Sequence, residues 1–372
     1  MTILYLFRSL AIWGGIERIL VDKMNYLVQE YSMDIYLLTS DQGQHPIPFH
    51  LEDNVKREDL GINFYHRYRY GLFKRLWVGR QKKILYEHLL QSRIQTIKPD
   101  VIVCTTSDPI NSIVKVKGSI PLIVESHSIC IRTINHGKFW FLRIVNRFTF
   151  LKSISKVQVI VALTEGDASE WRKYHPNVVM IPNFIHRESG RQASLDSKHV
   201  IFVGRYDYQK RVQDALSIWE EVCKRFPDWI LDIYGEGEMK DKIESKVTNI
   251  KNVVLHQPTD KIYDCYRNSS VLILTSLFEP FGLVIPEAMS CGLPVVAYDC
   301  PYGPASIISD SHDGFLIPSR NKDLFIDKVC SLLEDYDLRY HMGCMGRRTS
   351  RQYFPENVIP QWLLLFKYLK EM

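Results

Sequence analysis

Short apolar runs rich in β-branched residues alternate with segments of helical period along almost the whole chain. In the first half the runs predict strands over 3–7, 33–39, 101–104, 122–125 and 157–163, with helices near 16–30, 81–97 and 138–155. The second half repeats the rhythm, with strands over 200–203, 229–234, 253–256, 271–275 and 294–298. Its helices fall near 211–226, 238–246, 284–291 and 321–335. Runs without an alternating polar face belong to strands covered on both sides, which is the condition of parallel sheets in α/β proteins. Two doubly wound α/β domains are therefore the expected architecture, and 372 residues suit that number. The polar stretch 184–198 has no apolar period and is the expected linker between a first domain at 1–183 and a second at 199–354. In the last segment, 355–372, Val358, Trp362, Leu365 and Leu369 recur at helical spacing. This helix either completes the second domain or crosses back onto the first.

Composition excludes a disordered chain, with 46% hydrophobic and 24% charged residues. Charge is unevenly spread. Residues 1–185 carry 24 basic and 16 acidic side chains, and the remainder 23 and 26. A first half this basic should attract an anionic partner or surface, and the second should not. The eight cysteines form no C-x-x-C pair and no zinc spacing, so reduced thiols of a cytoplasmic protein are expected. Residues 1–7 lack a basic leader and Arg8 interrupts the apolar run, so no secretory signal is expected. No run approaches the roughly 18 apolar residues that cross a bilayer.

Ligands of open α/β sheets collect at the carboxyl ends of strands, so residues just after strands carry the chemistry. The strongest such signal is Glu279-Pro280-Phe281-Gly282-Leu283-Val284-Ile285-Pro286-Glu287, continued by Ala288-Met289-Ser290-Cys291-Gly292-Leu293-Pro294. Gly282 permits close backbone approach, and N–H groups at a helix start suit a phosphate. Two ionised carboxylates suit ribose or sugar hydroxyls, or else simply answer the helix dipole. Val203-Gly204-Arg205 and then Lys210 follow the first strand of the second domain. A guanidinium fork and a point charge together suit a diphosphate; the alternative is a solvated basic loop. Trp13-Gly14-Gly15, after the first strand, is either a phosphate-approaching loop or a plain turn. Glu125-Ser126-His127 ends a strand, where a histidine is either structural or cleft-facing. Tyr234-Gly235-Glu236-Gly237 is a tight turn in any reading.

The E-x(7)-E spacing, with its internal Phe-Gly-Leu and trailing Glu-Ala-Met-x-Cys-Gly-Leu-Pro-Val, resembles the retaining glycosyltransferases of family 4. These adopt the GT-B fold, two Rossmann-like domains facing a central cleft. The likeness covers most of the second half and, more loosely, the whole chain. It implies transfer of a hexose or N-acetylhexosamine from a nucleotide sugar to a hydroxyl of a saccharide or lipid-diphosphate-linked saccharide, with retention and without a metal or other cofactor. Arg205 and Lys210 would hold the donor diphosphate and stabilise its departure. Glu287 would bind the ribose, and Glu279 the donor sugar or its phosphate surroundings. Gly282, Leu283 and Gly15 would contribute amides, with Phe281 beside them in the donor site, and the Gly14–Gly15 loop would close over the phosphate. His127 would line the sugar pocket, and Tyr234-Gly235 would border the nucleobase. The implied catalytic set is His127, Glu279, Arg205 and Lys210. Pro182-Asn183 is similar to the family's hinge, with Phe184 in place of glycine. Asp335-Tyr336-Asp337 spells a metal-binding D-x-D, but lies far in sequence from every phosphate feature and is expected to be a solvated helix end. Pro280 and His256-Gln257-Pro258 depart from the family pattern and bear on donor identity. Cys300-Pro301-Tyr302-Gly303-Pro304 looks like polysaccharide- and lipopolysaccharide-assembly members that use UDP donors.

Two other classes share this fold. A nucleotide-sugar 2-epimerase would interconvert donor epimers without an acceptor, and a non-catalytic partner subunit would bind donor without transfer. The intact carboxylate pair with its two cations argues against both.

The basic excess is concentrated. Residues 65–77 read Tyr-His-Arg-Tyr-Arg-Tyr-Gly-Leu-Phe-Lys-Arg-Leu-Trp. No acid occurs between Glu125 and Glu165, while Arg132, Lys138, Arg143, Arg147, Lys152 and Lys156 are interleaved with Phe139, Trp140, Phe141 and Phe148. No nucleic-acid-binding signature accompanies them. Either these aromatics belong to the core beneath a solvated basic face, or the surface docks on an anionic inner leaflet, where each cation contributes about 1 kcal/mol. The expected location is therefore cytoplasmic, peripheral on the inner face of the membrane.

Overall fold

The structure is a computed structural model and describes residues 1–135, 140–186 and 192–372. It divides into two compact units, Met1–Ile181 with Ile359–Met372, and Pro182–Val358. The segment expected to be a linker belongs to the second unit as far as it is described. Phe184, Ile185, Ala193 and Leu195 are buried, and residues 187–191 lie outside the described residues.

The first unit holds seven strands: β1 (Thr2–Phe7), β2 (Asp34–Thr39), β3 (Lys56–Asp59), β4 (Val101–Thr105), β5 (Leu122–Ser126), β6 (Val159–Ala162) and β7 (Val178–Met180). They pair in the order β3-β2-β1-β4-β5-β6-β7, every pair parallel. The second unit holds β8 (His199–Val203), β9 (Ile230–Tyr234), β10 (Val253–His256), β11 (Val271–Leu274), β12 (Val295–Asp299) and β13 (Gly314–Pro318). Their order is β10-β9-β8-β11-β12-β13, again all parallel. Each order reverses once, between β1 and β4 and between β8 and β11. This makes both units doubly wound and gives each a switch point for ligands.

The helix Val212–Arg225 shows how the covering layer forms. Val212, Ala215, Leu216, Trp219 and Val222 recur at three and four residues and are buried, and the Trp219 indole donates to the Asn252 carbonyl at 3.0 Å. Lys224 and Arg225 sit in its last turn, where cations oppose the dipole.

Three strands escape the apolar-run reading. β3 is Lys-Arg-Glu-Asp, an edge strand whose Lys56 and Asp59 side chains also bond β2, at Asp34 and Thr39; β7 has three residues; β13 runs from a glycine to a proline at an edge of the second sheet. The helix expected at 81–97 begins at Leu72 instead. Phe73, Lys74, Leu76 and Trp77 in its first turns are exposed and follow no core, so no period marks them. The helix Tyr336–Ser350 was also absent from the pattern. Asp335 is its N-cap, accepting the Leu338 N–H at 2.9 Å, which gives the D-x-D a structural use.

The C-terminal helix, Pro355–Glu371, crosses back: residues from Ile359 belong to the first unit. Its Lys370 bonds Asp100 at 3.2 Å, and its Trp362 ring lies 3.8 Å from the Lys23 ammonium.

Candidate functional site

In the second unit, β8 and β11 are neighbours at the switch point, and the loops that leave their carboxyl ends carry the two strongest sequence signals. The loops are tied together. The Thr275 hydroxyl donates to the carbonyls of Lys210 and Arg211, the Leu277 N–H to Gln209 O at 2.8 Å, and the Gln209 amide to Phe278 O at 3.1 Å. Across this seam Lys210 Nζ meets Glu279 Oε1 at 2.5 Å, and the Ser276 hydroxyl donates to the same oxygen at 2.6 Å. Glu279 is buried and Lys210 half-buried, with side chains 4% and 13% exposed. The Lys210 N–H is itself held by Asp207 Oδ1 at 2.9 Å.

Arg205 stands apart from this pair. Its guanidinium bonds Asp207 Oδ2 at 3.1 Å and is largely solvent-exposed at the loop rim. The Glu279 backbone is fixed by three bonds at 2.8 Å, its N–H to Pro301 O and its carbonyl from the N–H groups of Tyr302 and Gly303. Phe281 is buried, its ring edge-on to Tyr353 at 5.3 Å. Gly282 has φ +87°, a conformation that suits glycine, and its carbonyl accepts the Ile285 N–H. From there Leu283 caps the short helix Val284–Ser290. Glu287, on that helix, is buried and accepts from the Tyr266 hydroxyl at 3.0 Å.

Beside these loops the Tyr234-Gly235 turn closes on Gly204. A Cβ at Gly235 would sit 2.0 Å from the Gly204 carbonyl oxygen. Tyr234 stacks on His256 at 4.3 Å and 10°, and His256 Nε2 lies 2.7 Å from Asp232 Oδ1. His199 Nδ1 approaches the other Asp232 oxygen at 2.6 Å. Burial, together with the Cys265 thiol, pushes the Tyr234 phenol well up.

In the first unit, Gly14 caps the helix Gly15–Tyr31, and a Cβ there would strike the Glu17 carboxylate, which folds back over the first turn. His127 follows β5 and is buried, with Nε2 3.1 Å from Glu125 Oε2. Within each unit, then, the expected residues gather at strand ends. Sequence reasoning did not single out Ser276, Asp207, Tyr266, Asp232 or Lys23. Only Lys23 left a usable signal, a cation inside the buried stripe Ile19, Leu20, Met24 and Leu27 of its helix.

Two parallel doubly wound units with these loops define the GT-B class of sugar-transferring enzymes. Residues 13–189 match the family described as Glycosyltransferase Family 4, and residues 186–349 the one described as Glycosyl transferases group 1. The amylovoran biosynthesis glycosyltransferase AmsD of Erwinia amylovora is 23% identical over 97% of this chain and 98% of its own. A poly(ribitol-phosphate) alpha-N-acetylglucosaminyltransferase of Staphylococcus aureus is 29% identical over 58% of this chain. The chain thus spans nearly all of AmsD but only 45% of the second relative. Among solved structures, S. aureus TarM matches at TM-score 0.78 and 16% identity, covering 98% of this chain and 99% of that one. Anabaena Alr3699/HepE, solved with UDP and glucose, matches at TM-score 0.74 and 17% identity over the whole of both chains. The chain belongs to glycosyltransferase family 4, has the GT-B fold, and is a glycosyltransferase.

Proposed function

We propose that this enzyme moves a hexose or N-acetylhexosamine, with retention of configuration, from a UDP-sugar to a hydroxyl of a saccharide or lipid-linked saccharide during assembly of a bacterial-type surface polysaccharide. The observation that carries the reading is the part-buried Lys210–Glu279 pair at the β8/β11 switch point, with Arg205 at its rim. Bond cleavage at the anomeric carbon leaves its electron pair on the donor diphosphate. Fixed cations at that position lower the barrier, and no metal is then needed. Lys210 and Arg205 take this role, with the Gly282, Leu283 and Gly15 amides assisting. Glu287 binds the ribose, and Tyr234 and Gly235 border the base. Glu279 orients Lys210 and meets the sugar or its phosphate, His127 contacts the transferred sugar, and the Gly14–Gly15 loop covers the phosphate. The acceptor oxygen attacks from the face the diphosphate leaves, and its proton passes to the departing phosphate oxygen.

Support for UDP and for a surface-polymer acceptor comes from relatives: HepE is solved with UDP and glucose, and the two sequence relatives are named for amylovoran and poly(ribitol-phosphate). A cytoplasmic place at the inner leaflet is part of the same reading. Among the described residues no helix is long and apolar enough to cross a membrane. Phe73, Trp77, Trp140 and Phe148 are nonetheless 87%, 62%, 74% and 70% exposed on the first unit, among Lys74, Arg75, Arg143 and Arg147. Apolar groups this exposed beside cations suit an anionic bilayer surface. Lys138 and Phe139 of that stretch lie outside the described residues.

The test is binding and hydrolysis across a panel of nucleotide sugars, with and without EDTA, for the natural protein and Glu287→Ala. Saturable binding of one UDP-sugar, with slow EDTA-resistant hydrolysis lost in the variant, is expected. Binding to no donor, or turnover that requires a divalent ion, would overturn the phosphate roles of Arg205 and Lys210.

A further inference from the structure

Glu125 and His127 stand at the end of β5, and two residues outside every motif complete their surroundings. Lys23, on the helix Gly15–Tyr31, is 2% exposed and places Nζ 2.5 Å from Glu125 Oε1. His127 Nε2 lies 3.1 Å from the other oxygen, Oε2. The same ammonium lies 3.8 Å from the centre of the Trp362 ring, on the returning C-terminal helix, and 5.7 Å from that of Tyr5 on β1. Each oxygen of one buried carboxylate therefore has its own partner, and an aromatic face supports the cation.

The protonation of this cluster follows from its geometry. Burial alone would raise the Glu125 carboxyl, but Lys23 and His127 bring it down to about 2. Burial draws the Lys23 ammonium down, and Glu125 opposes that. An ionised carboxylate can only accept, so His127 Nε2 must carry a proton. Lys23 takes the other oxygen of that carboxylate, so the charge that faces the ring is shared with an ammonium. With the proton on Nε2, the free lone pair is that of Nδ1, which has no hydrogen-bond partner among the described residues.

We propose that Lys23 is a positioning residue of the transfer reaction. It holds Glu125 ionised and compensated, and so fixes His127 as the neutral Nε2–H tautomer whose Nδ1 accepts from a hydroxyl of the transferred sugar. The proposal rests on the reading of His127 as a sugar contact. Remove Lys23 and the uncompensated Glu125 pulls a second proton onto His127. Nδ1 then becomes a donor and loses its use as an acceptor. The other groups whose charges meet this cluster are Tyr5 on β1 and the Cys104 thiol on β4. Burial pushes both well up, and Glu125 adds to the effect, so they stay neutral over the working range. Asp108, whose charge acts on Cys104, is pushed by burial to about 7, so the histidine nitrogens rather than a pH–rate curve alone must be read.

The experiment is long-range proton–nitrogen NMR on the full chain labelled at histidine nitrogens, with His127 assigned by its loss in His127→Gln. At pH 7.5 the natural protein should show Nε2 protonated and Nδ1 bare. In Lys23→Met the midpoint of ring protonation should move up by about one unit or more, so that the doubly protonated share at pH 7.5 rises. The double variant Lys23→Met with Glu125→Gln should return it to one proton. Donor turnover should follow: kcat at pH 7.5 falls in Lys23→Met, the acid limb moves up with the midpoint, and the double variant recovers part of the loss. An Nδ1–H ring or an imidazolium in the natural protein would overturn the proposal, as would an unmoved midpoint in Lys23→Met. The natural spectrum decides even if a variant fails to fold. Natural donor turnover in His127→Gln would instead remove the sugar-contact reading, and Lys23's role with it, whatever the tautomer.

Discussion

Lys210 and Glu279, 69 residues apart in sequence, share a single contact of 2.5 Å. The cation proposed to meet the donor diphosphate is bonded to the first carboxylate of the E-x(7)-E pair. That carboxylate has a second donor in Ser276.

Lys210→Ala should lower kcat/KM for donor hydrolysis about 10²–10³-fold, because it removes a fixed cation from the developing charge and leaves Glu279 buried with Ser276 alone. Glu279→Gln keeps an acceptor for Ser276 and frees Lys210, so it should cost less stability than activity. Steady-state kinetics beside thermal unfolding separates the two effects. Equal kinetic losses in Lys210→Ala and in an exposed control such as Lys98→Ala would count against the phosphate role.

Gly235→Ala should destabilise the second unit by about 1–3 kcal/mol, since its Cβ would fall 2.0 Å from the Gly204 carbonyl oxygen. That collision involves two backbones, so no side chain can turn aside to relieve it. Calorimetric unfolding should show the loss, and UDP titration a parallel weakening because Arg205 follows Gly204 directly.

Stability should depend on pH with two opposite signs. Burial raises Asp108 from 3.8 to about 7, against the Thr105 N–H and hydroxyl that bond it. The folded state therefore keeps that proton longer, and stability falls as pH climbs from about 4 to 7. Glu125 acts the other way. Its folded value of about 2 lies below the ordinary 4.5, so its contribution is present above 4.5 and lost as pH falls toward 2. Asp108→Asn, which retains an acceptor for Thr105, should flatten the decline in Tm between about pH 4 and 7 and leave the acid limb in place. A decline of unchanged slope would remove Asp108 as its source.

Membrane attachment should weaken with either half of the exposed patch. Replacing Lys74 and Arg75 by Gln should reduce partitioning onto vesicles with anionic lipid about thirtyfold, at roughly 1 kcal/mol per charge. Phe73→Ser with Trp77→Ser should reduce it independently of salt. Co-sedimentation at low and high ionic strength reads both, and equal binding to neutral and anionic vesicles would argue against an anionic leaflet.

The sequence was most informative where one physical constraint acted alone. Strands such as Leu122–Ser126 and Val271–Leu274 are buried on both faces, so every residue must be apolar or paired, and the runs stand out. β3 lies at an edge with its side chains mostly exposed, so its Lys-Arg-Glu-Asp residues show no apolar run for the strand they form. The first turns of the helix from Leu72 bury little and were equally silent. The E-x(7)-E pair was legible because its two carboxylates and Gly282 fall within one loop and helix.

By itself, then, the sequence determined two parallel α/β units and the family, and singled out the loops proposed to carry the chemistry. Those depend on local period and short spacing. Tertiary structure decided which groups meet: Lys210 with Glu279, Tyr234 with His256, and Lys23 with Glu125 and Trp362. Each of these contacts joins segments brought together only by the order of strands in a sheet or the return of the last helix. A charge within an apolar stripe announces that it needs a partner, but the fold alone chooses which one.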